Sequence, residues 1–218
     1  MNVTLENEDT VHGKFLLDTG ASFDLLLDIN SSDKIDFPKN VITGDMGHGL
    51  GGALEGKIGR VQKVDFEPFG FERITTFYQD DTIFNEMIVH NNRNGIVGGG
   101  VLSRFIVIFD YPNNLVYFKK NNKYNVPFYY NMSGIVLADT DNNAVSHVIQ
   151  EIIPNSPASE AEIISGDRIV KMGSIRSPEL TRTYIKTAFK TKKGKKIKLT
   201  ILRGDEVLIK YIRLRELI

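Results

Sequence analysis

An aspartate closes an apolar run near the start of the sequence. The triplet FLL at residues 15–17 has the pattern of a buried strand, and Asp18 follows it directly. An unpaired carboxylate is costly to remove from water, so a fold that buries this strand end must give Asp18 hydrogen bonds, a charged partner or a function. Two interpretations follow: Asp18 forms a turn by accepting backbone hydrogen bonds, or it takes part in catalysis.

Short apolar runs separated by turn residues continue through the first part of the chain. Residues 3–5 and 15–17 flank a polar stretch, which predicts a hairpin. The segment RFIVIFDYPNNLVYFKK at 104–120 predicts a second hairpin around its YPNN turn. Glycine is dense at residues 44–52 and 94–100, where the backbone must turn tightly or approach another segment closely.

The pattern changes after residue 121. Strand-like runs there alternate with helix signals, and the two Ser-Pro pairs at 156–157 and 177–178 have the form of an N-cap followed by proline. We therefore predict a mainly β protein of two domains. The first is an all-β domain at residues 1–125, and the second is a smaller α+β domain at residues 130–218.

Charge and composition argue against several classes of function. The 218 residues include 27 lysines and arginines against 27 aspartates and glutamates, so no net field favours nucleic acid or an acidic membrane. The absence of cysteine excludes disulfides and thiolate metal sites. No apolar run approaches the roughly 18 residues of a membrane span, and the start of the sequence lacks the pattern of a signal peptide. We expect the lysines of 190–198 to form a solvated turn rather than a nucleic-acid site. The four histidines are scattered without metal-ligand spacing, and we expect His48 to be a surface group.

Three motifs of the first domain together resemble the retropepsin-like aspartic proteases. They are FLLDTGAS at 15–22, GDMGHGLGGALEGKIGRV at 44–61 and GIVGGGVLSRFIVIFDY at 95–111. The resemblance implies an acid-protease β-barrel lobe and an endopeptidase that needs neither a cofactor nor a metal. Its implied catalytic residue is Asp18. The implied active-site loop comprises Thr19, Gly20 and Ala21. The implied flap, which would cover the substrate, comprises Gly47, His48, Gly49, Gly51 and Gly52.

An aspartic protease needs two facing carboxylates that share one proton and activate water. This sequence carries the motif once, so the resemblance implies a partner aspartate from a second copy in a homodimer or from a protease lobe absent here. Bacterial proteins that resemble this one often have two such lobes followed by a PDZ domain. The sequence departs from the family at Gly100, where an Asp or Asn is usual. The alternatives are a non-catalytic peptide-binding module with a degenerate protease lobe, and a scaffold that neither cuts nor binds.

Residues 130–218 resemble a PDZ domain of the bacterial, circularly permuted type. The resemblance rests on the segments SGIVL, IIPNSPASEAEI, SGDRIVKM and KKIKLTILRGDEV. It implies that an extended peptide pairs with a strand and that backbone N–H groups capture its C-terminal carboxylate. The implied peptide-binding residues are Ser133, Gly134, Ile135, Val136, Tyr184 and Ala188.

One of these positions departs from the family, since Ser133 stands where an apolar residue is preferred. The domain would recruit or gate peptide or protein substrates, and the alternative is a structural cap on the first domain. The family resemblance also implies a periplasmic or secreted location.

Overall fold

The structure is a computed structural model that describes residues 1–49, 52–79, 92–138, 144 and 146–218, with only the backbone of 45–49 and 52–55. Contacts divide the chain into two units. Unit 1 comprises Met1–Phe128 together with Ile218, and unit 2 comprises Tyr129–Leu217.

Unit 1 is made mostly of short strands. They are β1 (Asn2–Thr4), β2 (Thr10–His12), β3 (Phe15–Leu17), β4 (Leu25–Asp28), β5 (Ile42–Gly49), β6 (Gly52–Arg60), β7 (Lys63–Phe66), β8 (Phe69–Glu72), β9 (Thr75–Gln79), β10 (Gly95–Val97), β11 (Phe105–Asp110) and β12 (Leu115–Lys120). Helix α1 (Gly99–Leu102) follows β10, and two short 3₁₀ turns cover Ile29–Ser31 and Tyr111–Asn113.

These strands form three sheets, in the orders β2-β1-β7-β8, β3-β10-β4-β9-β6-β5 and β11-β12. The predicted hairpin between residues 3–5 and 15–17 is wrong. β1 pairs instead with β2, which lies inside the stretch predicted as a turn, and β3 pairs in parallel with β10. The predicted hairpin at 104–120 is confirmed, since β11 and β12 pair antiparallel along their whole length.

The glycines of 94–100 allow β10 and its following turn to lie against other backbone. A Cβ on Gly95 would lie 2.0 Å from the carbonyl oxygen of Leu26, and one on Gly98 would lie 2.3 Å from that of Phe23. Real Cβ atoms do not approach backbone so closely, so only glycine fits without a shift of the chain. The expectation of close backbone approach is confirmed here.

The core of unit 1 contains a cluster of aromatic rings and one buried arginine. The rings of Phe71, Phe105 and Phe128 belong to this cluster, with Phe71 and Phe128 5.5 Å apart in an edge-on arrangement. The side chain of Arg104 lies beside them, only 6% exposed, with its guanidinium 3.6 Å from the centre of the Phe128 ring. Burial lowers the pKa of this guanidinium, although nearby Asp24 acts in the opposite direction.

Unit 2 is a sheet flanked by helices. Its strands are β13 (Ile135–Leu137), β14 (His147–Ile152), β15 (Arg168–Met172), β16 (Ile175–Arg176), β17 (Lys196–Arg203) and β18 (Glu206–Arg213), and its helices are α2 (Pro157–Glu160) and α3 (Arg182–Phe189). The sheet order is β13-β14-β15-β17-β18, and β16 pairs with β15. β13 therefore lies at one edge of this sheet and β18 at the other.

The two helices of unit 2 test the predicted caps. The first is confirmed: the Ser156 hydroxyl accepts a hydrogen bond from the Ser159 N–H, and Pro157 occupies the first helical position. The second is wrong, because α3 begins at Arg182 with Thr181 as its N-cap. The Thr181 hydroxyl accepts from the Tyr184 N–H at 3.0 Å, so a residue after the Ser-Pro pair provides the cap.

An ion pair between buried Asp167 and partly exposed Arg203 joins the loop after α2 to β17. The carboxylate of Asp167, whose side chain is fully buried, accepts hydrogen bonds from Arg203 Nε at 2.7 Å and Nη2 at 2.9 Å, and from the Ile164 N–H at 3.0 Å. Burial alone would raise the pKa of this carboxyl. The hydrogen bonds from Arg203 and Ile164 outweigh it, so the pKa of Asp167 lies below its ordinary value.

The mainly β class is confirmed, whereas a retropepsin-like barrel is not shown. Across the residues that the structure describes, no helix has the length and apolar character needed to cross a membrane.

Candidate functional site

The predicted catalytic residue forms a local turn. The N–H of Asp18 donates to the carbonyl of Val97 on β10 at 3.0 Å, which fixes the residue at the end of β3. Its carboxylate Oδ1 accepts from the N–H groups of Gly20 at 2.8 Å and Ala21 at 3.2 Å. Asp18 is half-buried and Thr19 is exposed. These contacts have the form of the turn interpretation, in which the side chain stabilises its own loop.

The predicted flap residues lie on and between two strands that form a hairpin. Gly47, His48 and Gly49 lie on β5 and Gly52 lies on β6, with His48 opposite Ala53 in the strand register. Gly51 lies outside the described residues, as do the side chains of the others. The hairpin is present, and its action as a flap stays a prediction.

The predicted peptide-binding residues lie together in unit 2. Ser133 and Gly134 precede the edge strand β13, which carries Ile135 and Val136. Tyr184 and Ala188 lie on α3, where Tyr184 is 43% exposed and Ala188 is almost buried. The loop before β13 is attached to the end of α3, because the Met132 N–H donates to the carbonyl of Phe189 at 3.0 Å.

A side-chain network holds the loop before β13. Asn131 Oδ1 accepts from both the N–H and the hydroxyl of Ser133, at 3.0 and 2.7 Å. The Ser133 hydroxyl oxygen in turn accepts from the Ile135 N–H at 3.0 Å, and Asn131 Nδ2 donates to the Ile135 carbonyl at 2.8 Å. Ser133 is fully buried.

Asn131 was not among the residues singled out from the sequence. A signal for it exists, since an asparagine two residues before a residue whose N–H needs a partner is the pattern of an Asx-turn. The segment Asn131-Met132-Ser133 has that pattern, and its backbone follows the turn.

Comparison with known proteins identifies part of the chain. Residues 117–212 match the family described as PDZ domain. The chain contains a PDZ domain. The prediction of a PDZ domain is confirmed. A search of curated proteins gives no match.

Solved structures match along nearly the whole chain but at low similarity. The HtrA-type protease AlgW with decapeptide is 11% identical, with 99% of this chain and 75% of that chain covered and a TM-score of 0.39. The serine endoprotease from Yersinia pestis is 10% identical, with 98% of this chain and 78% of that chain covered and a TM-score of 0.36. A likeness at this level assigns no activity to this chain.

The prediction of an aspartic endopeptidase is contradicted. The matched structures are described as HtrA-type or serine endoproteases, not as aspartic proteases. The geometry of Asp18 gives the enzyme no support either, since within the described residues its carboxylate is hydrogen-bonded to backbone N–H groups and to no second carboxylate. A homodimer or second protease lobe was expected only to complete the dyad, and neither is shown.

Among the described side chains, no serine hydroxyl is seen in contact with a histidine, which is the arrangement that serine proteases use. A serine protease needs a serine hydroxyl in contact with a histidine. The two histidines whose side chains are described have other partners: His12 contacts Asn2, and His147 contacts the Leu180 carbonyl.

Proposed function

We propose that this protein binds extended peptides through its PDZ domain, in a groove between β13 and α3. The observation that carries the proposal is the match of residues 117–212 to the PDZ domain family. PDZ domains bind peptides as an added strand at a sheet edge, where main-chain hydrogen bonds give affinity and side-chain pockets give specificity.

The sheet of unit 2 offers such an edge. β13 pairs with β14 on one side, and among the described residues no strand pairs with its other side. An unpaired edge presents N–H and C=O groups that a further strand can use. The ligand strand would therefore lie along β13.

Helix α3 supplies the opposite wall. Tyr184 is the large, partly exposed side chain that we place against the peptide, and Ala188 one turn later gives space because it is small. Aromatic side chains with one exposed face are common anchors in binding sites, since they bury much apolar area on contact. Val136 would contact the ligand from the strand side.

The test is peptide binding by the whole chain, measured by fluorescence anisotropy with a panel of fluorescein-labelled decapeptides rich in valine, leucine, isoleucine and phenylalanine. We expect saturable binding of some members. Replacing Tyr184 by Ala should weaken the bound members by about tenfold, the usual loss when a partly buried aromatic anchor is removed. Tyr211→Ala is the matched control, since Tyr211 is 63% exposed on β18 at the far edge of the sheet. Equal losses for the two variants, or no binding at all, would refute the proposal.

We further infer that peptide binding belongs to the domain predicted at residues 130–218, and that the domain at residues 1–125 is a separate folding unit without an assigned activity. A periplasmic or secreted location remains part of the proposal, and it rests only on the family resemblance noted above.

A further inference from the structure

The loop before β13 would have to present free N–H groups to capture a peptide's C-terminal carboxylate. A carboxylate is held by successive backbone N–H groups that point into one concavity. In this domain the successive groups are those of Ser133, Gly134 and Ile135. Their hydrogen bonding in the free protein therefore decides whether a peptide terminus can be captured.

Two of these three donors are already used. The Ser133 N–H donates to Asn131 Oδ1, and the Ile135 N–H donates to the Ser133 hydroxyl oxygen, each at 3.0 Å. The Ile135 carbonyl also has a partner, because Asn131 Nδ2 donates to it at 2.8 Å. Both backbone polar groups of Ile135 are thus hydrogen-bonded to side chains of the loop.

Burial makes this arrangement hard to exchange for a ligand. Ser133 is fully buried and Ile135 is 2% exposed, so an incoming carboxylate would have to displace the Asn131 and Ser133 side chains before it reached either N–H. The displaced groups would lose their partners in a buried site, which is costly. The Ser133 carbonyl is also held, because it accepts from the Ala158 N–H at 2.9 Å.

We propose that this groove receives an internal segment of a polypeptide rather than a free C-terminus, because Asn131 and Ser133 occupy the position of the terminal carboxylate. This inference rests on the proposed function and specifies its ligand class. In the register with β14, the backbone N–H and C=O of Val136 face β14, whereas those of Leu137 face the open edge. An extended segment can therefore pair with Leu137 without a terminal charge.

The experiment compares peptide twins. Each decapeptide of the panel is made with a free C-terminal carboxylate and as the C-terminal amide, and anisotropy gives both dissociation constants with the whole chain. We expect the twins to agree within about twofold, since no charge-assisted hydrogen bond to the terminus is formed. A carboxylate twin that binds tenfold tighter or more would overturn the inference and leave the proposed function standing. Failure of every peptide to bind would refute the proposed function itself.

Variants of the loop give the converse test. Ser133→Ala removes the acceptor of the Ile135 N–H, so this donor becomes free and the carboxylate twin should gain at least about fivefold over the amide. Ser165→Ala is the matched control, because the exposed Ser165 hydroxyl donates to the Gln150 carbonyl away from the loop. A twin ratio unchanged by Ser133→Ala in the folded variant would contradict the assigned role of Ser133.

A measurement on the unaltered chain covers the case in which Ser133→Ala does not fold. Amide hydrogen exchange followed by NMR should show slow exchange at Ile135 in the free protein, and the two twins should shift its resonance equally. Fast exchange of that amide in the free protein would show that the donor is available, and the inference would then be wrong.

Discussion

Arg104 provides a direct test of how unit 1 is held together. Its guanidinium reaches several backbone carbonyls of the segment that ends the unit. Nε donates to Gly100 at 3.2 Å, and Nη1 donates to Lys123 at 3.1 Å and also to Val126. With the Phe128 ring stacked on it, one side chain is bonded to both α1 and the segment 121–128.

Replacing Arg104 by Met keeps an unbranched apolar stem, although a shorter one, and removes every donor. Three carbonyls lose a charged partner, each worth about 1–3 kcal/mol when the site stays buried. The lost cation–π contact adds about 1 kcal/mol. Methionine needs no desolvation of a charge, which offsets part of this loss. We expect a net loss of about 3 kcal/mol in the free energy of unfolding of unit 1.

The assay is urea unfolding of the whole chain, with the transition of unit 1 followed by circular dichroism and by amide exchange at core residues such as Val64. Lys63→Met is the control, because Lys63 is half-exposed and forms a surface ion pair with Asp65, so its loss should cost less than about 1 kcal/mol. If Arg104→Met cost no more than that control, the carbonyl contacts would not stabilise the unit and the reasoning would fail.

Two further predictions concern backbone packing and acid stability. Gly95→Ala should destabilise unit 1 by about 3 kcal/mol or more, since its Cβ would overlap the Leu26 carbonyl. Gly194→Ala, at φ +83° in open space, should cost unit 2 only about 1 kcal/mol. Equal losses in the unfolding free energies of the two units, each measured by urea against the unaltered chain, would contradict this. The lowered pKa of Asp167 makes its ionised form stabilising above its ordinary value of 3.8, and that contribution is lost as the pH falls through the lower pKa of the folded state. Unfolding midpoints measured from pH 7 to pH 2 should therefore drop at the acid end, and Asp167→Asn should be less stable at pH 7 and show a smaller drop.

Local patterns in the sequence predicted the local structure well. The hairpin of β11 and β12 and the cap at Ser156 depend on neighbouring residues, and both are confirmed. The partner of β3 could not be predicted in this way. β3 pairs with β10, far away in the chain, and a local turn pattern predicts only pairing between neighbouring strands. The start of α3 was missed because Thr181, four residues after Ser177, also carries a hydroxyl that can cap a helix, and it is the residue that caps α3.

The two candidate sites also differ in how well the sequence predicted them. The PDZ residues were placed by a resemblance that covers a whole domain, and the domain is confirmed. The role of Asp18 depended on three motifs that together resemble a protease family. A turn-forming aspartate satisfies the motif that contains it equally well, through its bonds to Gly20 and Ala21. The hydrogen-bond network around Asn131 was not predicted, because the partners of its side chain depend on which backbone N–H groups the fold buries.

The position of β10 between β3 and β4 also determines when unit 1 can fold during synthesis. β3 lies at the edge of its sheet with β10 as its neighbour, and Lys14 and Asn94, 80 positions apart, are hydrogen-bonded where these two strands begin. A ribosome adding roughly 5–20 residues per second needs about 4–16 s to make that stretch. During this time β4 has no neighbour on the side that β10 will occupy, and β3 has no strand to join. A growing chain that stops before Val97 therefore exposes two apolar strands, and release of the next few residues lets the sheet close.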